Sequence, residues 1–200
     1  MKFCFQEEIF GIYRLKVPFY SIYTSVFFIK TDAKTFLVDC ATTAFDVDTY
    51  IVPALGELGY NLSDVNAIVL THHHADHAGG IQRILQLAPQ IKIVTNLCML
   101  DQGVSTYALA GHTKDMIGVL DERSKTLISG DGLQGAGVDK WRCYTEDSKA
   151  YLETLENIKN DTRIENILFS HEYEPWYQNA MIGRNSVLEC LTQCAKYVKL

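Results

Sequence analysis

The chain has no block of lysines or arginines, no Cys-x-x-Cys pair, no apolar run long enough to cross a bilayer, and no repeat or low-complexity tract. Each absence removes a class of function. With 18 basic against 24 acidic residues and a net charge of −6, a phosphate backbone or an anionic membrane surface is repelled on average, so neither a nucleic-acid nor a membrane partner is expected. Six scattered cysteines in a chain with enough apolar residues for a core read as free thiols rather than disulfide staples. Cys190 and Cys194 are spaced to share one face of a C-terminal helix as small buried hydrophobes. Cys40, at a strand end, is a candidate for oxidation. The opening MKFCFQEEIFGIYR lacks the apolar core of a signal peptide, and the chain reads as soluble and cytoplasmic. At 48% apolar, 200 residues suffice for one well-buried domain, expected to span 1–200.

Histidine is where the composition concentrates. His72, His73, His74 and His77, with Asp76, fall within six residues directly after the apolar run Ala67-Ile68-Val69-Leu70. On an irregular loop after a strand, His72 and His74 converge on one ion while Asp76 and His77 turn towards a second position, so one loop serves two metals. Imidazole and carboxylate suit zinc best, although ligand type also admits iron, manganese or cobalt. His112 and His171 each stand where an apolar β-like run gives way to a turn, and Asp131 follows Ile128-Ser129-Gly130 in the same way. Taken singly, His112 and His171 read equally well as satisfied core histidines; their places relative to the cluster and Asp131 make them candidate ligands.

Hydrophobic periodicity predicts strands over Ile9–Leu15, Ser25–Lys30 and Phe36–Asp39, the last two joined by a turn at Thr31–Lys34, as an antiparallel meander. A helix is expected over Asp48–Leu58, with Pro53 near its first turn and Gly59 ending it, followed by a buried strand Val65–Leu70. Ile81–Leu87 reads as a helix ending before Pro89. Strands are expected at Ile91–Thr95, Tyr107–Ala110, Ile117–Leu120, Thr126–Ser129 and Ile167–Ser170, with helices around Tyr151–Ile158 and over Ile182–Val198. Two β-sheets covered by outer helices, an α+β architecture, is the natural arrangement.

Five stretches in order resemble the motifs of the metallo-β-lactamase fold superfamily, close to its glyoxalase II-like hydrolases. They are Phe36-Leu37-Val38-Asp39-Cys40, His72 to Gly80, Gly111-His112-Thr113, Ser129-Gly130-Asp131 and Ser170-His171. The resemblance covers nearly the whole chain and implies a four-layer αββα sandwich. By position it implies that His72, His74 and His112 hold a first metal, that Asp76, His77 and His171 hold a second, and that Asp131 bridges them. Asp39 resembles the family's supporting aspartate, which holds the metal loop by hydrogen bonds; from local sequence alone it reads equally as a plain turn residue. His73 falls where the pattern is variable and is read as exposed or as backing the ligands.

A ligand set of this kind implies two divalent ions, zinc first and iron or manganese as alternatives, whose shared hydroxide attacks a small-molecule ester, thioester or lactone while Asp76 orients it and accepts its proton. An iron-dependent redox enzyme of the same fold and a phosphodiester hydrolase are the alternatives. The 29 residues after His171 leave no room for a helical glutathione-binding domain, so true hydroxyacylglutathione hydrolase activity is not expected. Histidine rather than glutamate at His74 departs from the diiron flavoprotein branch, a bridging Asp131 departs from the typical β-lactamases, and Lys114-Asp115 replaces the usual Pro-Gly after the third motif. Trp141 and Tyr144, in the glycine-rich segment after Asp131, and Trp176 are the candidate substrate contacts.

Overall fold

The computed structural model describes residues 3–133, 145–172 and 178–198. They divide into two compact units, Met1–Thr95 and Asn96–Leu200, each with its own six-stranded sheet.

In the first unit, β1 (Gln6–Ile9), β2 (Ile12–Phe19), β3 (Ile22–Lys30) and β4 (Thr35–Val38) form the expected antiparallel meander, and β5 (Ala67–Val69) and β6 (Lys92–Val94) then add in parallel. The single strand expected over Ile9–Leu15 is two strands. Gly11, at φ 76°, turns the chain between them, a conformation open to glycine because it has no Cβ.

The helix expected from Asp48 begins earlier. Residues 44–57, α1, are helical throughout, opened by a reciprocal cap in which the Thr43 hydroxyl accepts from the Asp46 N–H and the Asp46 carboxylate accepts from the Thr43 N–H. Pro53 therefore lies inside the helix rather than in its first turn. The turn before it, Val47–Ile51, widens to π geometry, where the ladder is already irregular and a missing N–H is tolerated. Gly59, at φ 82°, ends it, and the Tyr60 N–H closes back on the Leu55 carbonyl at 3.0 Å. Val47, Ile51 and Leu55, four residues apart, form the stripe that packs with Ile84 of α3 (Ile81–Leu87) against Leu15, Val26, Phe28, Leu37 and Ile68 of the sheet. Each such side chain contributes about 1.5–3 kcal/mol by leaving water. Between β5 and α3 lies a short helix, α2 (Ala75–Ala78).

The second unit repeats the logic. β7 (Met99–Asp101), β8 (Val104–Ala108), β9 (Ile117–Asp121) and β10 (Thr126–Ile128) are antiparallel; β11 (Asn166–Leu168) joins β10 in parallel, and β12 (Ala180–Ile182) closes the other edge. α4 (Ser148–Asn160) and α5 (Arg184–Tyr197) supply Tyr151, Leu155, Ile158, Val187, Cys190 and Cys194 to a core with Leu120, Leu127, Ile167 and Phe169. Cys190 and Cys194 are buried hydrophobes, as their spacing predicts. Among the described residues no helix is long and apolar enough to cross a membrane.

Candidate metal-binding site

Strand direction decides where the candidate residues fall. β4 and β5 are parallel, with Val38 opposite Val69, so both leave the first sheet at the same edge: one into Asp39, the other into Thr71 and the histidine loop. Asp39 leaves at φ 63°, a left-handed conformation that costs a non-glycine residue about 1–2 kcal/mol, and it is fully buried. Its Oδ1 accepts the Thr71 N–H at 2.8 Å, its Oδ2 accepts the Thr71 hydroxyl at 2.9 Å, and the His77 Nδ1 lies 2.7 Å from the same Oδ2.

The loop itself is short and tightly laid. His74 caps α2, with its carbonyl accepting from His77 and Ala78, and the His77 carbonyl accepts from the Cys40 N–H at 2.8 Å. The rings of His72 and His74 stand 4.5 Å apart, those of His72 and His77 4.2 Å, and the His72 Nδ1 lies 3.0 Å from the Thr71 hydroxyl. His77 Nε2 is 3.4 Å from Asp76 Oδ2, and that oxygen accepts from the Thr24 hydroxyl of β3. His72 and His77 are buried, and His73 is exposed.

The second unit gathers its own three. β10 and β11 are parallel with Ile128 opposite Leu168, so Asp131 and His171, each three residues on, emerge together. β8, antiparallel to β9 as β10 is, ends at the same edge and leads into His112. Asp131 offers its two oxygens separately: Oδ2 is 3.7 Å from the His112 Nε2, and Oδ1 is 3.3 Å from the His171 Nε2. The turn without Pro-Gly is held from α4 instead. Gly111, at φ 142°, packs on Tyr151 with no room for a Cβ, its carbonyl accepts from Glu146 and Asp147, and the Ala110 carbonyl accepts from Thr154 at 2.7 Å.

Two ligand atoms each roughly 2.0–2.2 Å from one tetrahedral ion stand about 3.4 Å apart. The Asp76–His77, Asp131–His171 and Asp131–His112 separations of 3.4, 3.3 and 3.7 Å lie around that spacing. They are longer than a charge-assisted N–H···O bond of about 2.7–2.9 Å, the length that Asp39 makes to His77. The His and Asp donors therefore fit a divalent cation.

One expectation changes. Cys40 is fully buried, its thiol donates to the His77 carbonyl at 3.2 Å, and burial together with the Asp39 charge pushes its pKa far up, so it lacks the thiolate character that oxidation requires. Thr71 and Thr24, which hold ligand candidates, are not singled out by sequence; Thr71 owes its role to the parallel pairing of its strand with the one ending in Asp39, which only the structure shows. Trp141, Tyr144 and Trp176 lie outside the described residues.

Residues 21–95 match the model of the metallo-beta-lactamase superfamily. A beta-lactamase-like protein 2 homolog of Caenorhabditis elegans is 30% identical over 171 residues, 74% of this chain and 56% of that protein. A hydroxyacylglutathione hydrolase of Actinobacillus pleuropneumoniae is 28% identical over 138 residues, 61% of this chain and 57% of that protein. The chain thus spans just over half the length of these relatives. Among solved structures, a metallo-beta-lactamase of Pseudomonas aeruginosa in its mono-zinc form aligns with a TM-score of 0.75 at 15% identity over 98% of this chain and 96% of its own. One from Erythrobacter litoralis aligns at 0.68 and 19% identity, over 94% and 96%. The chain thus resembles the metallo-β-lactamase superfamily over residues 21–95 and has the α+β fold of these structures.

Proposed function

We propose that the chain is a metal-dependent hydrolase with a dinuclear metal centre. His72, His74 and His112 would hold one divalent cation and Asp76, His77 and His171 a second, with Asp131 bridging. The observation that carries this reading is Asp131, whose separate oxygens stand at co-ligand distance from two histidines. Zinc is the metal that imidazole and carboxylate donors suit best. Such a pair of ions supplies Lewis acidity that makes water nucleophilic near neutral pH.

The chain's own groups do the rest. Asp76, with one oxygen near His77 and the Thr24 hydroxyl, would orient the attacking water and take its proton. Asp39 fixes the loop from below and keeps His77 facing its position. Relatives named for hydroxyacylglutathione hydrolysis favour a small acyl substrate, an ester, thioester or lactone, over a phosphodiester.

Elemental analysis of the purified protein, with thioester, lactone and phosphodiester assays, tests the proposal. Zinc with hydrolysis of an acyl substrate, lowered about 10²–10⁴-fold by Asp76→Asn, is the expected result. Metal-independent hydrolysis, or activity unchanged by that substitution, would overturn it.

A further inference from the structure

We propose that Thr71 is a positioning residue that relays the Asp39 carboxylate to His72, so that one carboxylate sets which nitrogen carries the proton in a histidine at each of the two metal positions. The coupling rests on the assignment of His72 and His77 to different ions.

A neutral imidazole carries one N–H, and the partner of one nitrogen decides which atom is left as electron-pair donor. At His77 the partner is the Asp39 Oδ2 at 2.7 Å. A carboxylate accepts, so Nδ1 bears the proton and Nε2 carries the lone pair. At His72 the partner is the Thr71 hydroxyl, which by itself could donate or accept. Asp39 removes the ambiguity. The single hydroxyl proton goes to Oδ2 at 2.9 Å, and the oxygen is left to accept from the His72 Nδ1 at 3.0 Å, which again puts the lone pair on Nε2.

The Thr71 N–H on Oδ1 at 2.8 Å fixes the plane of the carboxylate, so both relays start from one oriented group. Asp39, Thr71, His72 and His77 are all 3% exposed or less, and water does not compete for these bonds. The arrangement follows from topology: parallel pairing of β4 with β5 sets Asp39 beside Thr71, and the α2 turn brings His77 back to the same carboxylate.

Loss of Asp39 should therefore act on both metal positions, and loss of the Thr71 hydroxyl on the His72 position alone. Long-range proton–nitrogen NMR on metal-free, ¹⁵N-labelled protein, at a pH where the rings are neutral, reads the tautomers directly. Wild type and Thr71→Ser are expected to show Nδ1–H at both His72 and His77. Thr71→Val, which keeps the shape and removes the hydroxyl, is expected to change His72 and leave His77 as it was. A wild-type His72 protonated on Nε2, or a His72 signal that Thr71→Val does not move, would overturn the relay.

Zinc titration against a chromophoric chelator then reads the coupling. Thr71→Val should weaken one of two ions about 10–100-fold, with Thr71→Ser restoring it. Equal weakening of both ions by Thr71→Val would overturn the coupling. Absence of zinc uptake by wild type would overturn the metal assignment, and the metal-free spectra report on the relay independently of that.

Discussion

Gly79 stands so close to Thr42 that a Cβ on it would overlap the Thr42 carbonyl oxygen, and Gly80 meets the Cys40 carbonyl in the same way. The histidine loop is thereby pressed onto a turn that already carries left-handed Asp39 and Ala41. Gly79→Ala is expected to cost about 1–3 kcal/mol and to reduce metal uptake, because the overlap is with backbone that cannot swing away. Gly56, inside α1 with nothing near its Cβ position, supplies the contrast. There alanine should stabilise by about 0.5–1 kcal/mol through helix propensity. Urea midpoints at unchanged m-value measure both, and equal effects would contradict the packing account.

Thiol accessibility separates the cysteines. Cys98 is exposed, whereas Cys40, Cys190 and Cys194 are buried. Alkylation followed by mass spectrometry should modify Cys98 in the native protein and reach the other three only after unfolding. Native-state labelling of Cys40 would contradict its place beneath the loop.

High pH should weaken the fold through Tyr107. Burial, and then the carboxylate of Asp161, push its phenol up to about 12, against roughly 10 in an unfolded chain. The folded state therefore holds that proton more tightly. Its contribution is complete below about pH 10 and is lost as pH rises towards 12. Stability measured against pH should fall over that interval in wild type and fall less in Tyr107→Phe.

Chelation should lower the melting temperature, since an ion bound by the native state alone adds about 2.7 kcal/mol at a hundredfold excess over its dissociation constant. Re-addition of zinc should restore it, and a melting temperature indifferent to chelator would count against any bound metal.

Much of this was legible in the residues, and the failures have identifiable causes. The crowding of His72, His74, Asp76 and His77 after an apolar run marks the loop, and the strand ends at Asp39, Asp131 and His171 could be read from apolar runs closing on a turn. The three-residue edge strands Met99–Asp101 and Ala180–Ile182 could not, because so short a segment shows no alternation and tertiary pairing creates it. The start of α1 was missed although Thr43-Ala44-Phe45-Asp46 carries a capping-box pattern, because the apolar stripe begins only at Val47. Thr71 was beyond reach for another reason: its contact with Asp39 depends on β4 and β5 being parallel neighbours, and pairing partners are not written in either strand.

Metal stoichiometry in ligand variants bears most directly on the central claim. Inductively coupled plasma analysis of zinc-loaded, desalted protein should give two ions per chain in wild type, one in His112→Ala or His171→Ala, and severe loss at both positions in Asp131→Ala. Unchanged stoichiometry in all three variants would contradict a dinuclear centre.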